Sequence, residues 1–175
     1  MEDFKDFVKR ENRNRELQFY PDDTKRKYIE YVNRFYQRVE QEWLFPFINN
    51  NEIKIIDLER PIIEKLLGQY TIKEKVIVIG NRNICLRPVG AILSGSYGRI
   101  DMIYEARTEM FILVEPSIRT PKQMLDRIGS QQMACGFPNS EINLEWKYVS
   151  KYPQLNYETI NSNIFQRILM EITHG

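Results

Sequence analysis

The 175 residues hold one histidine and two cysteines. His174 is the penultimate residue, where chains fray. A Ser-His-Asp triad, a Cys-His pair and a multi-histidine metal site are therefore excluded unless that end folds back into a cleft. Cys85 and Cys135 are too few for a cysteine-based zinc site. The chain is long enough to bury a core without a disulfide staple, so both read as reduced thiols of a cytoplasmic protein. Long apolar runs are missing as well. No stretch approaches the roughly 18 apolar residues of a membrane span. The charged opening Met1-Glu2-Asp3-Phe4-Lys5-Asp6-Phe7 lacks the basic and apolar regions of a secretory signal, so no membrane partner is expected. Net charge is nearly absent: 25 Lys plus Arg against 24 Asp plus Glu leaves +1, and any pull toward nucleic acid has to come from a local patch.

What is present is an ordinary globular composition, 42% hydrophobic and 12% aromatic, which argues for a packed core rather than a disordered chain. The reading is a single domain over 1–175, with an N-terminal helical segment over 1–50, a sheet-forming core over 52–150 and a C-terminal helix over 161–173. Residues 1–18 are dense in charge of both signs and predict a short helix. Pro21-Asp22-Asp23-Thr24 predicts a helix start, with a short polar side chain as the N-cap. From there Tyr28, Tyr31, Val32, Phe35, Val39 and Trp43 recur at three- and four-residue intervals, an aromatic stripe along one side of a helix that ends near Phe45-Pro46. Arg34 and Arg38 interleave with that stripe, and basic residues among aromatics are one footprint of a nucleic-acid groove. The same stripe is also what a helix presents to a core.

Downstream the period changes. Ile53-Lys54-Ile55-Ile56 reads as a strand, and Pro61 to Leu67 as a short helix closed by Gly68. Val76 to Ile79 and Ile84 to Arg87 flank Gly80-Asn81-Arg82-Asn83 as a hairpin, because Gly and Asn accept the positive φ of tight turns. Ala91 to Leu93, Arg99 to Tyr104 and Met110 to Glu115 continue a meander of about five short strands. Pro121 to Ile128 reads as a helix, Ile142 to Val149 as a strand, and Asn161-Ser162 as the cap of an amphipathic helix bearing Phe165, Ile168, Leu169 and Ile172. Helices at both ends of an antiparallel meander define an α+β fold.

The stretch Gly95-Ser96-Tyr97-Gly98-Arg99-Ile100-Asp101-Met102-Ile103 carries the chemistry worth testing. Gly95-Ser96 followed by Asp101 is similar to the opening of the nucleotidyltransferase motif, but Ile103 stands where the second metal-binding Asp belongs, and one carboxylate cannot set up paired-ion chemistry. Arg99 to Ile103 followed by Phe111-Ile112-Leu113-Val114-Glu115-Pro116-Ser117 resembles the hairpin of the PD-(D/E)XK nucleases. That resemblance implies Asp101 and Glu115 as ligands of Mg²⁺ or Mn²⁺, with Glu64 as a helix-borne acid. The lysine of that motif is missing; Ser117 occupies its place. Register decides: one pairing of the two strands sets Asp101 opposite Glu115, and another sets Arg99 there as a cross-strand ion pair. The third reading makes the stretch a turn and a strand, with Asp101 bonding a turn or sitting on the solvent face. Elimination favours a non-enzymatic binding or accessory module without a cofactor. A protein partner or self-association comes ahead of nucleic acid, and Tyr97, Arg99, Arg34, Arg38 and Trp146 are its candidate contacts. A metal-dependent nuclease, or an inactive relative, is the alternative.

Overall fold

The structure is a computed structural model that describes residues 3–16, 20–93, 95–130, 143–151 and 153–174, with the backbone alone at 12–16 and 128–130. Cys135 and Ile142 lie outside the described residues. The chain begins with α1 (Phe4–Glu16) and α2 (Pro21–Arg38), continues through a π-helical turn (Val39–Trp43), and ends its helical segment in the short α3 (Phe45–Asn49). A seven-stranded antiparallel sheet follows in the simplest order, each strand beside the next: β1 (Ile53–Glu64), β2 (Gly68–Ile79), β3 (Arg82–Gly90), β4 (Arg99–Tyr104), β5 (Arg107–Val114), β6 (Glu145–Ser150) and β7 (Asn156–Thr159). Helix α4 (Pro121–Ser130) lies between β5 and β6, and α5 (Ser162–His174) closes the chain. The α+β architecture with an antiparallel meander flanked by N- and C-terminal helices is therefore present.

The aromatic stripe of α2 is a core face. Tyr28, Val32, Phe35 and Tyr36 join Val39 and Trp43 of the π turn and Phe165, Ile168, Leu169 and Ile172 of α5. Together they bury against Ile77, Ile84, Leu86, Ile100, Met102, Phe111 and Trp146 on one face of the sheet. Phe35 sits at the centre, with ring centroids of Trp43, Phe111 and Trp146 at 5.4, 5.2 and 5.6 Å. Among the described residues, the opposite face is covered at one end. There Ile112, Val114, Val149 and Tyr157 pack against Ile118 of the segment leading into α4 and Met124 of α4 itself.

Four local expectations are corrected. The helix placed over Pro61–Leu67 is the far half of a β hairpin: Glu64 pairs with Gly68, and Pro61 lies on a strand that, among the described residues, is at the edge of the sheet, where a missing N–H is tolerated. Its apolar spacing suits a helix, but Gly68 at φ +73° turns the chain and the strands pair through all twelve residues of β1. The helix start is Pro21 with Tyr20 as an extended N-cap, and no side chain caps it. Ala91 to Leu93 is not a strand; only an isolated bridge between Leu93 and Ser96 remains. The sheet also includes β7, a strand absent from the sequence reading because it carries little apolar pattern.

Candidate functional site

Register answers the question posed by the hairpin. Asp101 of β4 stands opposite Met110, and Arg99 stands opposite Ile112. Glu115 lies beyond the last residue of β5, five residues along the chain from Met110, which at the rise of a strand is roughly 16 Å away. Neither pairing drawn from the sequence occurs, and Asp101 and Glu115 are not brought together. Among the described residues, no group of three or more His, Cys, Asp or Glu side chains is arranged to hold a metal ion.

Each candidate carboxylate has another partner. Asp101 accepts a bidentate pair from Arg99, Nε to Oδ1 at 2.6 Å and Nη2 to Oδ2 at 2.9 Å. Two residues apart on one strand, they share a face, so the ion pair forms along β4. Asp101 lies on the face away from the main core, opposite Arg87, but is only 9% exposed there. Glu115 receives Arg127 Nε of α4 at 3.4 Å. Glu64, at the end of β1 rather than on a helix, accepts the amides of Ala91 and Ile92 at 3.0 and 2.9 Å and the hydroxyl of Tyr70. It closes the loop after β3, the role of a side-chain cap.

The glycines of the stretch answer to packing. A Cβ on Gly98 would sit 2.7 and 2.9 Å from the ring carbons Cε2 and Cδ2 of Tyr28. That ring is fully buried, and its hydroxyl donates to the Arg99 carbonyl at 2.9 Å and accepts the Gly90 amide at 3.2 Å, bridging β3 and β4 where a register shift parts them. Burial pushes the Tyr28 phenol far above its ordinary value, so it remains a neutral hydrogen-bonding group. Gly98→Ala is expected to lose about 1 to 3 kcal/mol of stability by overpacking, read from the midpoint of urea unfolding. Gly95, at φ +85°, supplies a left-handed turn.

The remaining candidates divide. Trp146 is core, its Nε1 donating to the Tyr31 carbonyl at 2.9 Å. Tyr97 is half-buried, with its backbone amide bonded to the Leu113 carbonyl at 2.8 Å, and burial together with Glu115 raises its phenol. Arg34 and Arg38 are exposed, but Arg34 pairs with Glu30, and Arg38 pairs with Glu42 at 3.1 Å while covering the Trp43 ring. Lys25 and Lys27 are likewise matched by Asp22 and Asp23, at 2.7 and 3.1 Å. The basic-aromatic pattern on α2 is thus a stripe of core aromatics beside a row of i,i+3 and i,i+4 ion pairs, with little unbalanced positive charge.

Two features were not read from the sequence. Lys147 of β6 is 0% exposed, and its Nζ donates to the carbonyls of Pro116 and Ile118 at 2.6 and 2.7 Å. Burial pushes its pKa down, and it pins the segment that follows Glu115. A buried lysine after a Trp in a β-forming run gives no sequence signal, because alternation puts it on the face away from the main core, where the segment before α4 covers it. The second feature is a charged row on the open half of the opposite face. Glu74 accepts Arg87 Nε at 2.8 Å and Arg60 at 3.4 Å. Burial alone would raise the Glu74 carboxyl, but hydrogen bonds from Arg87 and from the Cys85 thiol outweigh it and hold the carboxyl below its ordinary range. Burial and Glu74 in turn push the Cys85 thiol up to about 12, which keeps it protonated and unreactive at neutral pH.

No protein-family model matches this chain, and comparison with curated proteins and with solved structures finds no significant match. Among the described residues, no helix is long and apolar enough to cross a membrane.

Proposed function

We propose that the chain is a cytoplasmic, non-enzymatic protein-binding module that works through the open half of its sheet. The observation that carries this reading is the uneven cover of one face: α4 and the segment before it close that face over β5 to β7, while Ile56 and Leu58 of β1 stay 40% and 46% exposed. Val76, Val78 and Ile103 lie half-buried in the same region, beside the Arg60–Glu74–Arg87 row. A half-apolar surface bordered by paired charges suits a protein partner that offers an apolar ridge and polar flanks. The matched ion pairs of α2 favour this over a nucleic acid, whose phosphates call for unpaired cations.

Ile103→Glu is expected to leave the fold intact by circular dichroism and to abolish retention of a protein that the native chain retains. Incubation of the native chain with DNA and RNA in Mg²⁺ or Mn²⁺ is expected to give no cleavage. Cleavage that Asp101→Ala abolishes would reverse the reading in favour of the nuclease alternative.

A further inference from the structure

The two edges of the sheet differ. β7 is four residues long, and the amide of its Tyr157 is taken by the Arg119 carbonyl at 2.8 Å, so the segment before α4 closes that side. β1 is twelve residues long, and among the described residues no backbone group other than those of β2 bonds to it between Ile53 and Ile63. Such an edge presents a row of N–H and C=O groups ready for another strand.

We propose that a second copy of this chain occupies it: β1 pairs antiparallel with its own mate about a twofold axis at Ile56, joining two sheets into one. The inference rests on the protein-binding reading and names one partner for it. In a twofold antiparallel pair, opposed residues share a face, so the axis passes through a residue. The charges of Ile53-Lys54-Ile55-Ile56-Asp57-Leu58-Glu59-Arg60 then select among positions. An axis at Asp57 sets that aspartate against itself and Lys54 against Arg60. An axis at Leu58 sets Asp57 against Glu59, and an axis at Glu59 opposes two glutamates, all unfavourable. An axis at Ile55 avoids like charges but pairs only Ile53 to Asp57. The axis at Ile56 pairs Ile53 through Glu59 without opposing like charges and leaves Pro61, which cannot donate to a ladder, outside the paired segment.

The same axis brings the exposed Ile56 and Leu58 of both copies side by side on the open face, where pairing removes them from water. Lys54 lies opposite Leu58, and Asp57 opposite Ile55. The Asp57 carboxylate is already held on its own chain by Lys75 and Lys73 at 2.5 and 3.4 Å. Ile53 to Asp57 is also the part of β1 that lies level with the β2–β3 pairing, since β2 leaves β3 beyond Lys75.

The full chain is expected to sediment as two copies and, with Ile56→Lys, as one, with the same circular dichroism. Register is tested by cysteine crosslinking in a Cys85→Ser, Cys135→Ser background. Ile56→Cys is expected to form a disulfide with its own mate on oxidation, because directly opposed Cα atoms stand about 4.5 to 5.5 Å apart. Leu58→Cys is expected not to, because its mate is four residues along, roughly 13 Å away. A single-chain mass at every concentration would overturn the proposal, as would a dimer that survives Ile56→Lys or that crosslinks through Leu58→Cys rather than Ile56→Cys. If the mass is that of one chain while Ile103→Glu still abolishes retention of another protein, self-association alone is lost and the protein-binding reading stands.

Discussion

Phe35→Ala is expected to destabilise the protein by about 3 to 5 kcal/mol, the largest effect of any single truncation considered, measured as the shift in urea or thermal midpoint. Phe35 is 1% exposed, and its ring meets Trp43 and Trp146 edge-on and Phe111 at a tilt, with Phe165 at 6.3 Å. These partners come from the π turn, β6, β5 and α5, so the cavity cannot be filled by moving one neighbour. The aromatic contacts add to the lost transfer free energy, each worth about 0.5 to 1.5 kcal/mol. Phe47→Ala provides the contrast. Phe47 lies on α3 and is 38% exposed, and its loss is expected to stay within about 0.5 kcal/mol. Equal effects at the two positions would refute the placement of Phe35 at the meeting point of helices and sheet.

Glu64→Ala is expected to cost about 2 to 4 kcal/mol, because it strands two amides and a phenol rather than removing one contact. The Ala91 and Ile92 amides and the Tyr70 hydroxyl all converge on this carboxylate. Gly90 lies so close that an added Cβ would come within 2.9 Å of the carboxylate oxygen. Glu64→Gln keeps one oxygen and is expected to lose roughly half as much, since one amide acceptor survives. Hydrogen exchange at the Ala91 and Ile92 amides gives a local readout: both are expected to lose protection in Glu64→Ala well before the amides of β4 and β5. A catalytic acid would behave in the opposite way, tolerating substitution or gaining stability while activity fell. Unchanged stability and unchanged exchange in Glu64→Ala would remove its role as the clasp of this loop.

The fate of the three carboxylates separates what a motif can and cannot tell. Asp101, Glu115 and Glu64 suggested a nuclease-like motif, without its lysine, through residue type and order, and order is what a sequence displays. Pairing register is not displayed, because it depends on where the turn at Glu105-Ala106 closes. Glu105 takes φ +51° there, Tyr104 pairs with Arg107, and that tight turn sends Glu115 past the end of the ladder. Arg99 then reaches Asp101 along its own strand instead of across to Glu115. The error at Pro61 to Leu67 has a similar origin. Ile62, Ile63, Leu66 and Leu67 fit a helical face locally, yet Ile62 and Leu67 are buried in the main core only because the long β1–β2 hairpin brings them there.

By itself the sequence determined the helical stripe of α2, the hairpin at Gly80, the strand from Arg99 to Tyr104, and the capped C-terminal helix, where Asn161 Oδ1 accepts the Ile164 amide at 2.9 Å. Each depends on contacts a few residues apart, and side-chain period and turn chemistry record such contacts directly. Tertiary structure alone decided that Gly98 is required by a tyrosine seventy residues away on another element, and that Lys147 is buried as a clamp on two carbonyls. It also decided that the segment before α4 bonds to the β7 edge, while among the described residues no backbone group but those of β2 bonds to β1 between Ile53 and Ile63. These outcomes depend on which elements come to lie against one another, and no local period in the chain encodes that.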